Sequence, residues 1–108
     1  MANGILGSSD LPAATYTEVY VVPADTFSVV AVSICNKNAT AITVRLALAK
    51  PGEALPQGDD YLEYETQILA NGVLERTGIV IEADRKVFVR SSASNTAAVV
   101  CGIETSTV

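Results

Sequence analysis

The chain of 108 residues carries seven Lys and Arg against twelve Asp and Glu and no His, for a formal net charge of −5. Nucleic acid and anionic membrane are disfavoured as partners, because both demand clustered cations, whereas only Arg85 and Lys86 are adjacent here. Hydrophobic residues reach 49% while charged residues stop at 18%; a single domain of this size is then left with apolar surface that other subunits are expected to cover.

Residues 1–14 contain Gly4, Gly7, Ser8, Ser9 and Pro12 with isolated Ile5, Leu6 and Leu11. No strand period is visible, so this stretch is expected to be an irregular N-terminal arm, either a free tail or a segment docking on a neighbouring subunit through Ile5, Leu6 and Leu11. It has neither the basic region nor the long apolar core of a signal peptide, which suggests a product of the cytoplasm. No apolar run in the chain approaches the ~20 residues of a membrane-spanning helix.

From residue 15 the chain reads as a succession of strands. Residues 16–22 end at Pro23, which cannot donate to a ladder. Residues 27–35 form a long apolar run, and 36–40 a polar loop. Residues 41–50 alternate cleanly, with Ile42, Val44, Leu46 and Leu48 on one face and Thr43, Arg45, Ala47 and Ala49 on the other. The bulky face is expected to be buried. The small-residue face around Thr43 and Arg45 is expected to meet water or a partner.

A loop with Pro56 and Gly58 covers residues 52–59, and residues 61–69 form the next strand. Asn71-Gly72 signals a hairpin turn, since both residues tolerate positive φ. Strands follow at 73–81, with Gly78 as a bulge, at 86–90 and at 97–103. The expectation is an all-β fold: a single antiparallel β-sandwich, jelly-roll or Ig-like, of about seven strands over residues 15–108. Cys35 and Cys101 each lie in an apolar run and are expected to be buried free thiols.

Little in the sequence carries chemistry. The absence of His removes the commonest general base and metal ligand, and the two cysteines lack zinc-site spacing. Asp59, Asp60, Glu63 and Glu65 concentrate acid without the spacing of a calcium loop. No catalytic, metal-binding or cofactor-binding residue is assigned, and a non-enzymatic protein is expected. Tyr16, Tyr20, Tyr61 and Tyr64 are available either for a ligand surface or for packing.

The order of features in residues 15–104 resembles small β-sandwich structural proteins of tailed-bacteriophage particles. The residues that carry the resemblance are Val19–Pro23, the Cys35-Asn36 break, Ala39–Leu46, Leu69–Gly72 and Gly102–Glu104. It implies a head decoration (cement) protein on the capsid exterior, made in the host cytoplasm. The partners implied are the major capsid protein or other virion proteins. A homo-oligomer is expected, with a trimer favoured by capsid threefolds. The alternative is a tail or tail-fibre component, including a receptor- or carbohydrate-binding module using loops 36–40, 52–59 and 91–95.

Overall fold

The computed structural model describes residues 2–108, which form eight strands: β1 (Asn3–Leu11), β2 (Thr17–Val21), β3 (Thr26–Asn36), β4 (Ile42–Ala49), β5 (Tyr61–Ile68), β6 (Val73–Ile81), β7 (Lys86–Ser91) and β8 (Thr96–Ser106). They make two antiparallel four-stranded sheets, sheet I in the order β1-β8-β3-β6 and sheet II in the order β2-β7-β4-β5. The pairs β1–β8, β2–β7, β3–β6 and β4–β5 are nested, as if one long hairpin had been folded over on itself. That is the jelly-roll arrangement, one of the two expected. Only β4 and β5 are consecutive strands within a sheet; every other connection crosses between sheets.

The core lies between the sheets and is filled from alternate positions of their strands. Val30, Val32 and Ile34 of β3 and Ala98 and Val100 of β8 meet Val44 and Leu46 of β4 and Val87 and Val89 of β7. Burying each Val, Leu or Ile contributes about 1.5–3 kcal/mol before entropy is subtracted. The expected buried set of β4 is borne out for Ile42, Val44 and Leu46, with Leu48 partly buried against the core. Ala47 and Ala49 of the opposite parity are also buried. Ala47 lies directly opposite both Tyr61 and Phe88, large residues of the flanking strands. That face is therefore covered in part by the chain itself.

Three expectations need correction. Residues 3–11 are not an irregular arm but strand β1, at the edge of sheet I. Leu11 is 2% exposed within the core and Leu6 packs against it, so only Ile5 of the three projects into solvent. Gly7 permits this docking: a Cβ there would stand 2.2 Å from the Val19 carbonyl oxygen of β2. The strand period was hidden by Gly and Ser residues and by a bulge between Ile5 and Gly7. Second, Asn71-Gly72 does turn the chain, with Asn71 at φ 59, but it joins β5 of sheet II to β6 of sheet I and makes no hairpin. Third, the thiols are free but not buried in the core: Cys35 is exposed and Cys101 half-buried.

The turn end of the sandwich is fixed by Asn36, a fully buried polar residue. Its Nδ2 donates to the carbonyls of Thr40, Ile68 and Leu69 at 2.9, 3.2 and 3.1 Å. Its Oδ1 accepts from the backbone N and Nδ2 of Asn38. One side chain thus ties the β3–β4 connection to the end of β5.

All four edge strands, β1, β2, β5 and β6, pair with register shifts, that of β6 falling at Thr77-Gly78 as expected of Gly78 (φ 69). The central ladders β3–β8 and β4–β7 run without interruption. Bulged edges resist the addition of further strands.

Candidate functional site

Residues directly opposite one another in a sheet share a face. On the outer face of sheet I, the rows read from the turn end as Asp10, Ala97, Cys35 and Val73; then Ser8, Val99, Ser33 and Glu75; then Ile5, Cys101 and Ala31; then Asn3, Ile103, Val29 and Val80; and last Thr105 and Phe27. Apolar side chains dominate the middle of this face. Ile5, Val80 and Ile103 are 65%, 68% and 51% exposed. Its acids, Asp10 and Glu75, sit in the two rows nearest the turn end, Asp10 with Lys37 at 3.3 Å. These exposed apolar side chains lie in adjacent rows of one sheet face, which makes it a candidate interaction surface.

The outer face of sheet II has a different chemistry. Arg45, projecting from β4, donates from Nη1 to the Tyr16 hydroxyl at 2.9 Å and from Nη2 to Glu65 Oε1 at 2.9 Å. Its guanidinium lies 4.4 Å from the Tyr64 ring centre, and Tyr64 meets Tyr61 edge-on at 5.0 Å. Tyr16 and Tyr61 hydrogen-bond through their hydroxyls, and Arg90 stacks over Tyr16 at 5.7 Å.

This array splits the behaviour of its two hydrogen-bonded phenols, Tyr16 and Tyr61. Burial, the Tyr16 hydrogen bond and the Tyr16 charge push Tyr61 up to about 12. Burial also opposes ionisation of Tyr16, but hydrogen bonds from Tyr61 and Arg45 outweigh it and leave Tyr16 below the ordinary tyrosine value. Hydrogen bonding to Arg45 holds the Glu65 carboxyl below its usual range.

Beside the array, Pro56, Gln57, Gly58, Tyr61 and Tyr64 line an open cleft of about 530 Å³. The β4–β5 loop that forms its wall is held by Lys50, whose Nζ reaches Asp59 at 2.6 Å and Asp60 at 2.8 Å. Buried Asp60 also accepts from the Gln57 backbone N at 2.8 Å. Desolvation works against the Asp60 carboxylate, yet Lys50 and Gln57 keep its pKa lowered.

The four acids singled out in the sequence are thus divided among three cations. Asp59 and Asp60 take Lys50, Glu65 takes Arg45, and Glu63 takes Arg76 of β6 at 2.6 Å, an ion pair joining the edges of the two sheets. Among the described residues no cluster of three or more metal-ligating side chains occurs.

Of the sequence-predicted interaction residues, the structure places Thr43 and Arg45 on sheet II, Ile5 on sheet I, and Leu6 and Leu11 toward the core. Tyr16, Tyr61 and Tyr64 gather around Arg45. Tyr20 turns inward, donating to Glu104 at 2.6 Å and lying 2.7 Å from the Ser28 hydroxyl. The outer face of sheet I escaped the sequence reading as a unit. Its signal was present: Phe27, Val29 and Ala31 are as apolar as their inward neighbours Val30, Val32 and Ile34, and Val99, Cys101 and Ile103 repeat the pattern. Apolar residues at both parities of β3 and β8 therefore place apolar side chains on the outer face as well as in the core.

Compared with family models, curated proteins and solved structures, the chain has no match in any of the three.

Proposed function

We propose that this protein is a non-enzymatic structural component of a bacteriophage particle, a capsid decoration protein that bridges neighbouring capsid subunits as a homo-oligomer on the head exterior. The observation that supports this reading best is the apolar outer face of sheet I, carried on a fold whose edges are bulged against strand addition. The sequence resemblance of residues 15–104 supplies the phage context. In this reading sheet I serves assembly, and sheet II presents Arg45, Thr43 and the surrounding tyrosines to the capsid. Repeated copies multiply a contact that need not be strong singly.

The test is co-sedimentation of the purified protein with heads that lack it, followed by cryo-electron microscopy of the decorated particles. Saturable binding at symmetry-related sites, weakened by Arg45→Glu, is expected. Binding to tails alone, or to neither structure, overturns the capsid assignment.

A second reading, a tail-fibre module that binds a carbohydrate or receptor, is favoured by one feature: the open cleft where Tyr61 and Tyr64 stand edge-on. Retention of the isolated protein on immobilised glycans, abolished by Tyr64→Ala, would select it.

A further inference from the structure

We infer that the outer face of sheet I is covered by the same face of a second copy of this chain, in a two-fold, face-to-face dimer. The inference rests on the reading of the protein as an assembly module and names the partner of its adhesive face.

Three features argue for a second copy. The first is shape and size. Four strands spaced ~4.8 Å apart and about nine residues long at ~3.3 Å each give a footprint of roughly 500–600 Å² before side-chain corrugation. That approaches the ~800 Å² per partner of a standard stable interface. A flat, twisted sheet finds its best complement in another sheet packed face to face, as sheets I and II already show within the chain.

The second is charge. The middle of the face, Ile5, Val29, Ala31, Val80, Cys101 and Ile103, carries none, and its acids Asp10 and Glu75 are confined to the two rows nearest the turn end. A two-fold axis running across the strands lays that end of each copy over the Phe27 and Thr105 end of the other. Like charges are then kept apart and the apolar middles coincide.

The third is the state of the edges. All four edge strands are bulged, which disfavours joining copies by edge-to-edge strand addition and leaves the face as the route of self-association. Because the contact is isologous it closes at two copies. The trimer suggested by capsid symmetry then does not form through this face. In the dimer the two sheet II faces point outward in opposite directions, each with its own Arg45 array, which suits a bridge between two neighbours.

The native thiols report on this directly, since Cys101 lies in the middle of the face and Cys35 at its turn end. The experiment is maleimide labelling of the wild-type chain over a range of protein concentrations. It is run beside Ile103→Lys and Val80→Lys, with Leu55→Lys as a control in the β4–β5 loop. All three positions are more than half exposed in the single chain, so folding is preserved and is verified by circular dichroism. Wild type and Leu55→Lys are expected to label roughly tenfold more slowly at Cys101 as concentration rises into the dimeric range, as a thiol does when an interface covers it. Both face variants are expected to label rapidly throughout.

Equal labelling rates in all variants at every concentration overturn the pairing. So does protection that appears only when heads are added, which assigns the face to the capsid instead. A chain that pairs but fails to bind heads refutes the capsid reading and leaves the pairing standing.

Discussion

Replacing Leu11 by Ala decides whether residues 3–11 belong to the fold. Leu11 is 2% exposed and sits in the core with Val19, Val22 and the inward rows of both sheets. Truncating such a residue removes its transfer energy and leaves a cavity, together about 3 kcal/mol. For a domain near 100 residues that lowers the melting temperature by roughly 15 °C. Gly7→Ala provides an independent reading of the same strand. Its new methyl would stand 2.2 Å from the backbone carbonyl of Val19, a group that moves only if β1 and β2 separate. The expected cost is about 2 kcal/mol or more. Urea denaturation followed by circular dichroism measures both. A loss under ~1 kcal/mol for Leu11→Ala would refute the account, since surface or tail substitutions fall within about 0.5 kcal/mol. Deleting residues 1–11 outright is expected to abolish cooperative unfolding, whereas a detachable arm could be removed without loss.

Three further outcomes are expected. Asn36→Ala abandons five hydrogen bonds at the turn end and should cost about 3 kcal/mol in denaturant unfolding; Asn36→Asp, which turns a carboxylate toward three carbonyls, should cost at least as much. Burial and the Glu104 carboxylate push Tyr20 up to about 12, so its contribution to stability is intact below the unfolded tyrosine value near 10 and is lost as pH rises through 12; Tyr20→Phe should flatten the stability profile in that window. The Asp60 carboxyl is lowered in the folded state, so its contribution is present above the unfolded value near 4 and disappears as pH falls through the folded one; Asp60→Asn should remove that acid dependence in a stability-against-pH series.

The fold class was legible because β4 alternates bulky and small residues with the pleat, and turn residues bound the successive strands after residue 15. β1 was not legible. Its inward positions are Ser, Gly and Leu, its register is broken by a bulge, and its stability derives from tertiary docking against β8 and β2. The Asn71-Gly72 turn was read correctly as local backbone chemistry and wrongly as topology, since positive φ fixes a reversal but not which sheet receives the next strand. For the candidate site, Arg45 was visible as a lone charge among small residues. Its tyrosine partners come from β5 and from the connection before β2, tens of residues away or brought in by edge bulges, and no local pattern announces them. The thiols were misplaced because a run apolar at both parities does not say which parity faces the core.

Sedimentation velocity of the wild-type chain across a concentration series tests the role of sheet I most directly. The account predicts a species of twice the 11.3 kDa chain mass at high concentration that dissociates on dilution and is absent in Val80→Lys. A single chain at every concentration, or a species of three chains, would contradict it.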